Sequence, residues 1–170
     1  AEAIGFAGTE TAAMIDADLA NLELLEKIRG EAAVKMGLAD KWEAAATVTP
    51  GVPKMTIVSA AQDFITDSGK EIKASEYDLS IRMMSMQKAH KTIALTGALC
   101  TAAACAIPGT IPNEVLGNEN VKNELVLGHS DGIISVAMKY KNENGTIKID
   151  SVSSHRTARK IMVGKVYYKG

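Results

Sequence analysis

A chain of 170 residues, 46% of them hydrophobic, is long enough for one domain with a real core, because ~150 residues already bury roughly 70% of the surface they expose unfolded. With 19 Lys and Arg against 20 Asp and Glu, the net charge is −1, and no run of like charge builds the field that a nucleic acid or an anionic membrane requires. No apolar stretch reaches the ~20 residues that span a bilayer, and the opening AEAIGFAGTE lacks the basic region and apolar core of a signal peptide.

In chain order, Asp16 is a good N-cap for the stretch ADLANLELLEKIRGEAAVKMGL. There Leu19, Leu22, Leu25, Ile28, Ala32 and Met36 recur at helical spacing, which predicts an amphipathic helix with Gly30 as a point for a bend. ADKWEAAATVTPGVP reads as a short helical remnant stopped by Pro50, Gly51 and Pro53, and KMTIVSA as a buried strand. The polar segment from Gln62 to Tyr77 reads as a surface loop, and DLSIRMMSM after it as a strand. Alternation along that strand puts Arg82, Met84 and Met86 on one face and Met83 and Ser85 on the other.

The stretch ALTGALCTAAACAIPGT predicts a helix of small residues from about Gly97 to Ala106, ended by the following Pro and Gly. Four more strands follow, NELVLGHS, GIISVAMKY, TIKIDSVSS and KIMVGKVYY, with DG and NENG as hairpin signals. The class is α+β: a mainly antiparallel sheet wrapped on a small-residue helix.

Both cysteines lie on that helix. Cys100 and Cys105 are five apart, about 140° of rotation, so they cannot close a disulfide. Redox chemistry wants two cysteines separated by two residues, and metal binding wants more grouped ligands than this chain offers. Core filling explains Cys105, and packing is the ordinary role of a lone Cys100. With no secretion signal, two cysteines and eight methionines point to a reducing cytoplasm.

The sharper feature is the start of the helix. Its first N–H groups have no acceptor inside the helix, and small residues let a carboxylate or phosphate approach them. A small-residue helix packed tightly through a sheet accounts for the same residues without a ligand, and the residues alone leave both readings open. Arg82, Ser85, Lys88, His90 and Lys91 lie just upstream.

EKIRGEAAVKMGL, RMMSMQKAHKTIALTGALCTAAACAIPGT, GHSDGIISV and RTARKIMVGKVYY resemble the C-terminal half of the methylaconitate cis-trans isomerase and methylitaconate Δ-isomerase (PrpF-like) family, from about Gly8 to Tyr168. The resemblance implies a diaminopimelate-epimerase-like domain, a sheet curled around a central helix whose N-terminus faces the cleft between two such domains. It implies one C-terminal domain over residues 1–170, with an N-terminal domain absent from this chain. The first residue is Ala rather than Met, as in a processed product or an excised piece.

By the same resemblance, Thr96, Gly97, Ala98, Leu99 and Cys100 bind substrate carboxylate through backbone N–H groups; Ser85, Met86 and His90 lead into the cleft; His129 and Ser130 form a turn at its rim. Catalytic lysine and cysteine belong to the other half, so this half holds no catalytic residue. His155 stands where the family has Gly before RTAR, and Ser130 where it has Pro after GH, which affects specificity rather than fold.

The reading is a cofactor-independent isomerase of small branched unsaturated di- or tricarboxylates of the methylaconitate, methylitaconate or oxalomesaconate type, inactive as an isolated domain. Its partners are a small carboxylate substrate and the N-terminal domain, with no nucleic acid, no membrane and no metal. The alternative is a non-catalytic carboxylate-binding accessory protein to an aconitase-like dehydratase. The choice of carboxylate and the oligomeric state stay open.

Overall fold

The computed structural model describes residues 1–155 and 158–168. Five strands form the main path of one sheet: β1 (Thr56–Ala60), β4 (Leu79–Ser85), β6 (Glu124–His129), β7 (Gly132–Glu143) and β8 (Thr146–Ser153), in the order β1-β4-β6-β7-β8, with β5 (Lys88–Ala89) paired to β4. Neighbours are antiparallel except β4 and β6, which run parallel with Leu79 opposite Leu127 and Ser80 opposite Gly128. The helix α4 (Leu95–Cys105) lies against it, with α5 (Ile111–Leu116) packed on α4 and β1.

The core explains why α4 is made of small residues. Ala98, Ala102, Cys105 and Ala106 meet Val58 of β1, Leu79, Ile81 and Met83 of β4, Leu125 and Leu127 of β6, and Val136 and Met138 of β7, while Ile147, Ile149 and Val152 of β8 close the far side. A thin helix lets strands from both ends of the sheet reach one cluster, and each large apolar side chain buried there contributes ~1.5–3 kcal/mol. This is the α+β arrangement expected, a sheet curled around a small-residue helix.

The central strand β4 is buried along both faces, which is why LSIRMMS reads as an almost unbroken apolar run. Its alternation is as expected, and the structure decides the direction. Met83 and Ile81 face α4, whereas Met84 packs with Phe6, Ile15, Leu25 and Ile57 on the opposite side. Arg82 points to that second side, fully buried beneath the N-terminal segment.

Several local expectations are corrected. Asp18, not Asp16, caps the long helix α2 (Leu19–Lys35), and the preceding α1 (Ala12–Ala17) is capped by Thr11. Asp16 instead accepts a hydrogen bond from the Ala89 N–H at 2.7 Å, tying α1 to β5. The buried face of α2 is Leu25, Arg29, Gly30 and Ala33, whereas Leu19, Ile28 and Met36 are exposed. The face turns because Arg29 is satisfied in the interior by Glu26 and by the carbonyls of Thr49 and Val52. Gly30 lies within α2 and gives room for α3 (Trp42–Val48), since a Cβ there would sit 2.7 Å from the Trp42 carbonyl oxygen.

The segment 62–77, expected as a loop, carries a hairpin of β2 (Phe64–Ile65) and β3 (Glu71–Ile72) with its own small core of Phe64, Ile72 and Tyr77. The region expected to be only a break after α4 contains α5. The Asn144-Gly145 loop has positive φ at both residues, as a two-residue hairpin requires. KIMVGKVYY, expected as a strand, forms none: residues 158–168 carry no regular structure and are exposed throughout. Among the described residues, no helix is long and apolar enough to cross a membrane.

Candidate functional site

The strands β4 and β6 run parallel, with the start of β4 (Leu79, Ser80) opposite the end of β6 (Leu127, Gly128), and α4 begins beside Met83, further along β4. The N-cap of α4 is Ala94, with extended backbone and no side chain to accept from the first turn. The helix starts at Leu95, two residues earlier than expected, because Gly97 is already inside the first turn. This changes which donors are free. The N–H groups of Gly97 and Ala98 both donate to the Ala94 carbonyl, at 2.9 and 3.0 Å, and those of Leu99 and Cys100 fall within the regular helix. The donors left without a partner among the described residues are those of Leu95 and Thr96.

Among the α-helices described, α1, α2 and α5 have side-chain caps in Thr11, Asp18 and Thr110, and α3 has Glu43 in its first turn. Only α4 has neither a cap nor an acidic residue to meet its positive end. Its other end is fully provided for. The Thr110 hydroxyl donates to the Ala104 carbonyl at 2.6 Å, and Asn113 Nδ2 donates to the Cys105 carbonyl at 2.7 Å. A helix finished with care at one end and left open at the other can receive an anion at the open end.

Gly97 has a structural duty. A Cβ there would lie 1.9 Å from Met83 Cε, so its lack of a side chain serves the approach of α4 to β4. Thr96 and Cys100 are exposed, Leu99 is half-buried and packed on the core, and Ala98 is fully buried. Cys100 and Cys105 are both free thiols, and burial, with Asp78 second, pushes Cys105 up to about 11. Among the described residues no three His, Cys, Asp or Glu side chains gather as a metal site would need.

His90 is drawn to this end by its backbone, whose N–H donates to the Met83 carbonyl at 2.8 Å. Its Nδ1 accepts from the Thr92 N–H at 3.1 Å, which leaves Nε2 as a donor. Ser85 pairs with Lys88 across the two-residue loop Met86-Gln87, where both residues have positive φ (51° and 63°). Non-glycine residues in that conformation cost ~1–3 kcal/mol each, and the loop leaves Met86 projecting at 66% exposure.

His129 and Ser130, expected at a rim, are both buried. Burial holds His129 below the ordinary histidine range, and the Arg82 guanidinium lowers it further, so the ring is neutral at pH 7. Its Nδ1 accepts from the Asp131 N–H at 3.2 Å, and the Ser130 carbonyl accepts from the Asp67 N–H at 2.9 Å. The structure thus brings His90 and Gly97 together around Met83, and His129 beside Arg82, with no direct hydrogen bond from Ser130 to α4 among the described residues.

Arg82 is the larger surprise on β4. Its guanidinium donates to the carbonyls of Glu10, Ile81 and Gly128 and to the Ser80 hydroxyl, lies 4.9 Å from the Phe64 ring centroid, and leaves Nη2 unpartnered among the described residues. It joins the N-terminal segment to β4 and β6 and so steadies the strand ends beneath the site. Alternation pointed to its face; only the packing showed that this face is interior.

The family model described as PrpF protein matches residues 1–169. The 3-methylitaconate isomerase of Eubacterium barkeri is 36% identical over 98% of this chain and 43% of its own length. The putative isomerase YraM of Bacillus subtilis is 41% identical over 100% of this chain and 42% of its own length, and the 2-methyl-aconitate isomerase of Shewanella oneidensis 34% identical over 98% and 41%. A crystal structure of methylitaconate-delta-isomerase superposes with a TM-score of 0.79 at 32% identity, covering 91% of this chain and 41% of the other. The chain therefore spans about two fifths of the length of the relatives it matches.

Proposed function

Because the chain belongs to the PrpF protein family, we propose that it is the C-terminal domain of a two-domain, cofactor-independent isomerase of small branched unsaturated di- or tricarboxylates, and that it supplies the carboxylate-binding half of the cleft. The observation that carries this is the open N-terminus of α4, where the Leu95 and Thr96 N–H groups lack acceptors and no acidic side chain competes. Removing a proton next to a carboxylate drives charge onto that carboxylate, giving a dienolate-like state. Oriented N–H donors at a helix start meet that charge without reorganising, and losing one such donor costs ~3 kcal/mol in oxyanion sites of known enzymes.

The base that moves the proton belongs to the part of the relatives' length that this chain does not span. His90, with Nε2 free to donate, and the neutral His129 orient the substrate. The relatives are named for methylitaconate and methylaconitate, which favours an enzyme over an accessory protein to a dehydratase. Two free thiols suit the reducing cytoplasm.

The experiment is a turnover assay of methylaconitate and methylitaconate with this chain alone, beside a titration of its amide resonances with trans-aconitate. The expected result is no turnover and weak binding with shifts centred on Leu95 and Thr96. Robust turnover by the chain alone, or shifts confined elsewhere, would sink the proposal.

A further inference from the structure

The β2–β3 hairpin forms a two-stranded sheet of its own beside the main one. Its base is apolar: Phe64, Ile72 and Tyr77 are buried together, with the Phe64 and Tyr77 rings edge to face and their centroids 5.6 Å apart. Through that base it grips the end of β6. The Tyr77 ring lies 2.7 Å from where a Cβ on Gly128 would stand, and the Phe64 ring packs on the Arg82 guanidinium, which itself donates to the Gly128 carbonyl.

The tip of the hairpin is ordered for another reason. Asp67, Ser68, Gly69 and Lys70 are exposed and add nothing to a core, yet the tip is tied tightly from within. The buried Thr66 accepts from the Gly69 N–H through its carbonyl and from the Lys70 N–H through Oγ1, both at 2.9 Å. These bonds leave the Asp67 N–H directed away from the hairpin, where it donates to the Ser130 carbonyl at 2.9 Å. Among the described residues, this is the one hydrogen bond that residues 66–70 make outside the hairpin.

The bond falls on a peptide with a second duty. The Ser130 carbonyl and the Asp131 N–H are two ends of one planar unit, and the Asp131 N–H donates to His129 Nδ1 at 3.2 Å. A chain of bonds therefore runs from the Asp67 amide through that peptide to the ring, each bond polarising the next. With its carbonyl end held, the peptide cannot turn its N–H away from Nδ1, so the neutral ring carries its proton on Nε2. Burial and then Arg82 keep the ring neutral, with His90 adding to this and Asp131 opposing it.

We propose that the β2–β3 hairpin is a positioning element for His129: the Asp67 N–H, acting through the Ser130–Asp131 peptide, fixes the orientation of the ring and its Nε2–H form, the form able to donate to a substrate carboxylate. Asp67 is a positioning residue and touches no substrate. The inference rests on the carboxylate-binding reading above. It explains why the hairpin is fastened on both sides of His129, by its base to Gly128 and by its tip to Ser130.

The test is nitrogen-15 NMR of the His129 ring in this chain, which reads the tautomer without any ligand. The parent should show the Nε2–H form, and a neutral ring protonated on Nδ1 overturns the proposal. Asp67 is the second residue of the turn closed by Thr66 and Gly69, a position that favours proline, so Asp67→Pro removes the N–H and keeps the turn. It should raise the Nδ1–H form to about a tenth or more of the neutral ring and weaken trans-aconitate binding by about 3- to 10-fold. Asp67→Asn keeps the N–H and should leave the ring as in the parent. Thr66→Val loosens the tip without touching Asp67, should shift the ring in the same direction, and supplies the readout should Asp67→Pro fail to fold. A parent-like ring in Asp67→Pro, or in Thr66→Val where the proline variant does not fold, overturns the proposal; so does an equal shift in Asp67→Asn, which assigns the effect to the carboxylate. A tautomer shift in a chain whose parent binds no trans-aconitate leaves the positioning role standing and counts against the carboxylate-binding reading; binding with an unmoved tautomer does the reverse.

Discussion

Replacing Leu95 with proline removes one of the two free donors while leaving the helix almost untouched. Leu95 is the first residue of α4, and its N–H has no intrahelical acceptor to lose. Proline is favoured at this position, and it requires an extended residue before it, which Ala94 already is at φ −66° and ψ 128°. The half-buried leucine side chain is the main loss, so Leu95→Pro should change stability by about 1 kcal/mol or less. In the helix interior, Ala103→Pro should cost about 3 kcal/mol or more. A hydrogen bond to a charged group contributes ~1.5–3 kcal/mol, so Leu95→Pro should weaken trans-aconitate binding by about 10- to 150-fold.

Thr96→Asp makes the complementary case. A carboxylate at the open helix end should raise stability by about 0.3–1 kcal/mol and exclude a ligand carboxylate by like charge. Urea unfolding and amide-resonance titration measure the two quantities separately. If Leu95→Pro binds as the parent does, the carboxylate does not sit on this helix end. If it unfolds the domain, the position of the helix start is wrong.

Two further outcomes follow from the core. The Cys105 thiol has its pKa raised from 9.0 to about 11 in the fold, so between those values the folded state keeps a proton that the unfolded chain releases. Stability is therefore fully present below about pH 9 and falls as pH rises towards 11, by about 2–3 kcal/mol at most, a slope that Cys105→Ala should remove in pH-dependent urea unfolding. Gly128→Ala should destabilise by about 1–3 kcal/mol in the same assay. Its Cβ would lie 2.7 Å from the Tyr77 ring, which cannot yield because its hydroxyl is held by the Gln62 N–H and carbonyl at 2.8 and 2.6 Å.

Features set by neighbours in the chain were legible in the residues. The Asn144-Gly145 turn, the alternation along β4 and the small-residue character of α4 each follow from a few adjacent side chains and backbone sterics. The hairpin of β2 and β3 was not, because its apolar residues Phe64, Ile72 and Tyr77 are separated by a polar tip that reads as loop. The choice between Asp16 and Asp18 as cap was also hidden, since it depends on Ala89, 73 residues away from Asp16.

The candidate site divides in the same way. Small residues after Thr96 were visible along the chain, and they marked this helix start as the candidate. Which amides stay free depended on where Ala94 turns, which leaves Thr96 of the expected stretch Thr96 to Cys100 and adds Leu95 before it. The interior position of Arg82 and the burial of His129 came only from packing, because Glu10, Ser80 and Gly128 reach that guanidinium from three separate parts of the chain. Side-chain spacing carries local geometry, whereas the partner of a buried charge is a property of the whole fold.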